Sequence, residues 1–132
     1  MPSRLPTRRT VAAALVVAPA LLRTALAQAP RRLTPRQTEG PFYPIALPPD
    51  MDFDLLRNGA QRYAKGEAGW LEGTLTDVEG RPVGGGIVEI WQCDAAGHYH
   101  HPGDGGAADP AFQGFGRVAV DAQGRWRFRT IR

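Results

Sequence analysis

Apolar and polar residues alternate strictly near the C-terminal end of the chain, which is the pattern of a half-buried β-strand. In the segment 125–131 a tryptophan, a phenylalanine and a threonine face one side, while three arginines face the other. Residues 117–121 have strand character as well, and residues 122–124 supply a turn between the two segments. These residues are therefore predicted to form a hairpin.

Two earlier segments are also predicted to be strands. Residues 70–78 are rich in leucine and β-branched side chains, and the turn-forming residues 79–82 follow them. Residues 87–93 are apolar on both faces, as expected for a strand inside a sandwich. Four strands joined by short turns predict an all-β fold, which would be part of a β-sandwich.

The segment 28–66 lacks this periodicity and is predicted to be an extended N-terminal arm. Its prolines exclude a long helix or a central strand, and they stand at positions 30, 35, 41, 44, 48 and 49. One short helical turn is expected at 52–57. Residues 67–132 form the predicted sandwich domain, in which the glycine-rich loop 95–114 is long enough to be either functional or disordered.

Residues 1–27 have the features of a secretory signal peptide. Arginines near the start are followed by the apolar stretch 11–22 and by an Ala-Leu-Ala cleavage pattern at 25–27. The adjacent pair Arg8-Arg9 favours the twin-arginine route over an ordinary secretory signal. The sequence thus predicts an exported protein, periplasmic or extracellular, and the apolar stretch is too short for a stable membrane span.

Removal of this segment changes the charge balance. The whole chain has 16 Lys+Arg and 13 Asp+Glu, a net charge of +3. Four of the arginines and none of the acids lie in residues 1–27, which leaves 12 basic against 13 acidic residues. This balance argues against a nucleic-acid partner. Cys93 is the only cysteine, so an internal disulfide is excluded and a small buried hydrophobe is expected.

One motif is more specific than these patterns. Its segments are DVEGRPV at 77–83, GIVEIWQCD at 86–94, GHY at 97–99, DPAFQGFGR at 109–117 and GRWRFRTI at 124–131. The motif resembles the intradiol ring-cleavage dioxygenases of the protocatechuate 3,4-dioxygenase type. The resemblance covers roughly residues 36–132 and implies a partial intradiol-dioxygenase-type β-sandwich behind the proline-rich arm and the signal peptide.

The resemblance implies a non-haem Fe(III) enzyme that uses O2 to open a catechol-type aromatic ring to a muconate. In that family two tyrosines and two histidines hold the iron. Tyr99 matches the first tyrosine, which makes it the candidate catalytic and metal-binding residue. The second tyrosine and a His-x-His pair would follow Arg132. The 132-residue chain is therefore expected to hold one ligand of four and to be iron-poor and inactive alone.

The same resemblance supplies candidate substrate-cleft residues in the arm. They are Thr38, Gly40, Pro41 and Tyr43, within the segment TEGPFYP. In the family this segment runs close to the active-site cleft, although a rigid proline-bounded turn would account for the pattern as well. Relatives often pair subunits, so the resemblance also leaves a homo-oligomer open.

Three histidines flank the candidate tyrosine: His98, His100 and His101. In an extended segment His98 and His100 point to one side and Tyr99 to the other, so the three residues would not share a metal. A solvated loop is the preferred interpretation. An adventitious surface site for a divalent metal is the alternative.

Four further side chains are expected to have structural roles. Trp91 is predicted to lie in the core, Glu89 and Asp94 to make strand-end hydrogen bonds, and Arg117 to form an ion pair. Because a sandwich fold does not fix a function, a second hypothesis stays open. It is a secreted, non-catalytic β-sandwich that serves as a binding module.

Overall fold

The computed structural model describes residues 31–132, so the predicted signal peptide and the first residues of the arm lie outside it. The described strands are β1 (Arg57–Asn58), β2 (Gln61–Arg62), β3 (Ala68–Thr74), β4 (Ile87–Trp91), β5 (Phe115–Ala119) and β6 (Arg125–Ile131). A short 3-10 helix, Pro102–Asp104, lies between β4 and β5. The predicted all-β class is confirmed. Within residues 31–132 no helix is long and apolar enough to cross a membrane.

The strands pair antiparallel in three two-stranded sheets. β1 pairs with β2, β3 with β6, and β4 with β5. In the β3–β6 sheet, Ala68 lies opposite Ile131 and Thr74 lies opposite Arg125. The alternation along β6 is as predicted, since Phe128 is buried while the flanking arginines are exposed or half-buried.

The predicted hairpin between 117–121 and 125–131 is wrong. A tight turn does follow β5, and in it the Gly124 N–H donates to the Asp121 carbonyl at 2.9 Å, but β5 and β6 are in different sheets. Gly124 has a φ of +76°, which favours glycine. Its carbonyl accepts a hydrogen bond from Leu75 N–H at 2.7 Å. This contact, just beyond β3, directs the chain out of the β4–β5 sheet and into the β3–β6 sheet.

Two strands are shorter than predicted. β3 ends at Thr74 because the chain turns at residues 77–81, where the Asp77 carboxylate accepts a hydrogen bond from Arg81 N–H at 2.9 Å. β4 ends at Trp91 instead of residue 93. The prediction that β4 is buried on both faces is also wrong, since Ile87 is 50% exposed. The core covers one face of this two-stranded sheet, and the other face stays partly exposed.

Residues 52–57 form a turn, in which Arg57 N–H donates to the Asp54 carbonyl at 3.0 Å, but no helix. Asp54 instead makes an isolated parallel bridge with Arg129 of β6, and Leu55 N–H donates to the Arg129 carbonyl at 2.9 Å. The Asp54 carboxylate also lies 3.1 Å from the Arg129 guanidinium. Pairing with β6 satisfies backbone groups that an isolated helical turn would leave open.

The core lies between the β3–β6 and β4–β5 sheets. Its buried residues are Leu55, Leu56, Tyr63, Phe112, Phe128 and Ile131, and Val88, Ile90, Ala111, Val118 and Trp126 pack against them. The first three come from the segment predicted to be the extended arm. The C-terminal part of that segment therefore contributes to the core, whereas residues 31–41 are exposed.

Candidate functional site

A buried aspartate fixes the loop that carries Tyr99. Asp94 follows β4, and its carboxylate accepts hydrogen bonds from the N–H groups of Ala96 at 2.8 Å, His98 at 3.0 Å and Asp109 at 2.8 Å. Burial alone would raise the pKa of Asp94, but these N–H donors together lower the pKa by more and hold it below its usual range. Asp94 thus has the hydrogen-bonding role that the sequence predicts.

Tyr99 lies in the loop beyond this turn with its ring half-buried. Its N–H donates to Asp104 Oδ2 at 2.7 Å, and its ring stacks on Phe42 with the centroids 4.6 Å apart. Burial raises the pKa of the Tyr99 hydroxyl, and the neighbouring Cys93 thiol and the Asp104 carboxylate raise it further. The neutral phenol is therefore favoured, and ionisation would require a positive charge brought to the hydroxyl.

The three histidines have separate partners. His98 Nδ1 lies 3.4 Å from Asp104 Oδ2, and His100 Nε2 lies 2.5 Å from the Phe112 carbonyl oxygen. The His101 ring accepts a hydrogen bond from Gly103 N–H at 3.0 Å, which caps the 3-10 helix. The loop expected to be merely solvated is held by contacts within itself, and His100 joins it to the buried Phe112. The histidines do not converge.

The candidate cleft residues of the arm separate into two groups. Thr38, Gly40 and Pro41 are exposed, and Gly40 has a φ of +79° where the chain turns. Tyr43 is half-buried, and its hydroxyl donates to Glu89 Oε2 at 3.0 Å. That hydrogen bond raises the pKa of Tyr43. The structure therefore places Tyr43 against β4, while Phe42 contacts Tyr99.

Sequence reasoning missed two neighbours of Tyr99, namely Phe42 and Cys93. The sequence does hold a signal for Phe42. Phe42 and Tyr43 are consecutive in an extended segment, so their rings point in opposite directions and contact different parts of the domain. Cys93 is half-buried with a free thiol and is not the fully buried hydrophobe that its position predicts. Its proximity to Tyr99 depends on the turn at Asp94, which the sequence does not specify.

The remaining predicted roles concern the β4–β5 sheet. Arg117 Nε lies 3.4 Å from Glu89 Oε1, which is the predicted ion pair. Trp91, predicted to lie in the core, is instead half-buried and meets the Tyr43 ring edge-on at 5.0 Å. Glu89 therefore serves the arm and the neighbouring strand with the two oxygens of one carboxylate.

The donors around Tyr99 do not fit an intradiol iron site. Within the described part of the chain, no group of three or more His, Cys, Asp or Glu side chains is placed to hold a metal ion. Tyr43 is bonded to Glu89, and Tyr63 accepts a hydrogen bond from Ala95 N–H inside the domain, so neither offers a second phenolate beside Tyr99. Tyr99 is the remaining tyrosine of the described residues and the candidate ligand among them.

The fold and the site define an all-β domain in which a half-buried tyrosine faces an aromatic residue of the arm. Comparison with known proteins then gives the family. A family model described as "Dioxygenase" matches residues 38–132. The chain belongs to the intradiol ring-cleavage dioxygenase family, whose members are non-haem iron enzymes.

Individual relatives agree with this assignment. The chain is 42% identical over 85 residues to the protocatechuate 3,4-dioxygenase beta chain of Burkholderia cepacia, covering 62% of this chain and 36% of that protein. It is 40% identical over 92 residues to the 6-chlorohydroxyquinol 1,2-dioxygenase of Cupriavidus pinatubonensis, covering 70% and 31%. The solved structure of catechol 1,2-dioxygenase from Acinetobacter sp. ADP1, inhibited by bound mercury, aligns with a TM-score of 0.56 and 32% identity, covering 76% and 32%. The chain spans about a third of the length of these relatives.

Proposed function

We propose that this chain is the tyrosine-bearing part of an intradiol dioxygenase that opens a catechol-type aromatic ring with O2 and Fe(III). The observation that carries the proposal is the position of Tyr99. It ends the GHY segment of the family motif, and its half-buried ring faces the arm instead of the apolar core. The names of the relatives, which act on catechol, protocatechuate and hydroxyquinol derivatives, support this substrate class.

In this proposal Tyr99 is the metal-binding and catalytic residue. The exposed Thr38, Gly40 and Pro41 lie next to Phe42 in the chain, so they are available to a substrate near Tyr99. Tyr43 contributes indirectly, because its hydroxyl is committed to Glu89. A single phenolate donor is not enough for a stable ferric site.

The 132-residue chain alone is therefore expected to be iron-poor and inactive. Adding Fe(III) to the purified protein should produce no tyrosinate-to-iron absorption band, because a lone phenolate does not hold Fe(III) against water and hydrolysis. Adding catechol and O2 should produce no muconate absorbance. Visible and ultraviolet spectroscopy measure both outcomes, and robust turnover would contradict the expectation.

A fusion protein provides the positive counterpart of this experiment. Residues 1–132 joined to the C-terminal region of the Acinetobacter sp. ADP1 catechol 1,2-dioxygenase should acquire the iron–tyrosinate colour and ring-opening activity. Tyr99→Phe should abolish both. Tyr63→Phe is the matched control and should keep them, because Tyr63 lies in the core. Colour that survives Tyr99→Phe would exclude Tyr99 as a ligand, and a folded fusion without colour would favour the binding module.

We also propose export by the twin-arginine route, which the Arg8-Arg9 pair supports. Replacing both arginines with lysine should leave unprocessed protein in the cytoplasm of an expressing bacterium. Cell fractionation and immunoblotting measure this, and Arg4→Lys is the control that should be exported normally. Unchanged export of the double variant would point to an ordinary secretory signal.

A further inference from the structure

Two adjacent aromatic residues of the arm, Phe42 and Tyr43, contact different parts of the domain. The Tyr43 hydroxyl donates to Glu89 Oε2 at 3.0 Å, and the other oxygen of that carboxylate lies 3.4 Å from Arg117 Nε. Glu89 and Arg117 are cross-strand partners in the β4–β5 sheet. Tyr43 is therefore held by a Glu89–Arg117 pair that joins both strands of this sheet.

The ring of Tyr43 reinforces this anchor. It meets Trp91 with the centroids 5.0 Å apart and Phe115 at 6.0 Å, both with an interplanar angle of 87°. Trp91 and Phe115 are also cross-strand partners, two residues along from Glu89 and Arg117. Edge-to-face geometry suits the quadrupoles of aromatic rings. The arm is thus fixed by one polar and one aromatic pair of the same sheet.

Anchoring Tyr43 also fixes the backbone of its neighbour, Phe42. The Phe42 ring stacks on Tyr99 with an interplanar angle of 20°, and it meets His101 edge-on at 5.7 Å. Asp104 holds the backbone of Tyr99, but a backbone hydrogen bond does not set the plane of a side-chain ring. Among the aromatic pairs of residues 31–132, Tyr99 takes part only in the stack with Phe42.

We propose that Phe42, held in place by the cluster of Tyr43, Glu89 and Arg117, is a positioning residue for Tyr99. Phe42 sets the plane of the phenol ring and shields one of its faces from solvent. The inference rests on the proposed function, because the plane of this ring matters for catalysis only where the phenolate is a ligand. The contacts that carry it are independent of any metal.

The metal-free 132-residue chain tests the proposal with isotope-labelled tyrosines, of which it has three. Phe42→Leu should remove the ring-current shift from the Tyr99 resonances and leave those of Tyr63 in place. The Cys93 thiol lies beside Tyr99, so freeing the Tyr99 ring should also speed modification of Cys93 by a thiol reagent. The expected increase is about two- to tenfold, which corresponds to the loss of one aromatic stack. Phe42→Tyr keeps the stack and should restore both readouts to their original values.

Phe53→Leu is the matched control, because it removes a phenylalanine stacked on Trp70 at 6.2 Å, away from the site. It should change neither readout. Tyr43→Phe keeps the ring but removes the donor to Glu89, and it should move both readouts in the direction of Phe42→Leu by a smaller amount.

Unchanged Tyr99 resonances and an unchanged Cys93 rate in folded Phe42→Leu protein would overturn the proposal. If circular dichroism shows that this variant does not fold, Tyr43→Phe decides by the same two readouts, and no change in them would overturn it. Neither readout involves iron. The positioning role can therefore fail while the fusion still binds iron through Tyr99, and it can hold when the fusion binds none.

Discussion

Replacing Asp94 with alanine is expected to lower the free energy of unfolding by about 3 kcal/mol. The residue is 4% exposed, and its carboxylate accepts three backbone N–H hydrogen bonds. Alanine would leave these donors unpaired in the loop that carries Tyr99, and water could not reach all of them. Urea denaturation followed by tryptophan fluorescence measures the loss.

Asp121→Ala is the matched control for this substitution. Its carboxylate also accepts two backbone N–H hydrogen bonds in a tight turn, from Gln123 at 2.9 Å and Arg125 at 2.8 Å. Its side chain is 41% exposed, so water can replace the carboxylate. The loss of stability should be much smaller than for Asp94→Ala. Equal losses of unfolding free energy would mean that burial does not determine how much these carboxylates stabilise their turns.

The pH dependence of stability gives a second measurement on Asp94. Its folded pKa is lower than the ordinary value of 3.8, because the N–H donors outweigh the effect of burial. Such a group binds protons more readily in the unfolded state, so its contribution is complete above the ordinary pKa and is lost as the pH falls through the folded pKa. Below pH 3.8 the wild type should lose stability more steeply than Asp94→Ala. Between about pH 5 and 8 the difference between them should stay constant.

Phe128→Ala is expected to cost about 4 kcal/mol of unfolding free energy, the largest single effect in the core. Phe128 is 0% exposed and packs between the two larger sheets. Truncation removes its buried area and leaves a cavity that fixed strands cannot fill. Phe53→Ala is the control, because Phe53 is 44% exposed and should cost far less. Chemical denaturation compares the two variants.

Gly116 allows a sharper test of how closely the Phe128 ring is packed. A Cβ at this position would lie 2.7 Å from Leu55 Cδ1 and 2.9 Å from the Phe128 ring. Gly116→Ala alone should therefore destabilise the protein by about 1–3 kcal/mol through overpacking. In the double variant, Phe128→Ala removes one of the two close contacts, so the combined loss should be smaller than the sum. Strictly additive losses would contradict the contact.

The sequence predicts strands more reliably than it predicts their partners. Along β6, the alternation of apolar and polar residues shows on which face of the strand each side chain lies. The burial of Phe128 therefore follows from the two-residue period. The pattern does not report which strand lies alongside. The residues around Gly124 look like a hairpin turn, and the strand pairings and the hydrogen bond from Leu75 show that the chain changes sheets there.

The site shows the same division. Tyr99 is a candidate on the strength of its motif, because the surrounding residues have a fixed spacing. Its neighbours depend on tertiary structure: Phe42 is distant in sequence, and Cys93 approaches only through the turn at Asp94. The helical turn expected at 52–57 fails for a related reason, since a local pattern does not include the competing bridge between Asp54 and Arg129.

The pairing of β3 with β6 has a consequence for how the protein folds. The first long strand of the domain is matched with the last described one, and Leu55 and Leu56 also depend on β6 for their cover. The core can therefore close only after residue 131 has been added. Such a high contact order predicts slow folding, with apolar surface exposed until late. The nascent chain should accordingly need protection by a chaperone before its core closes.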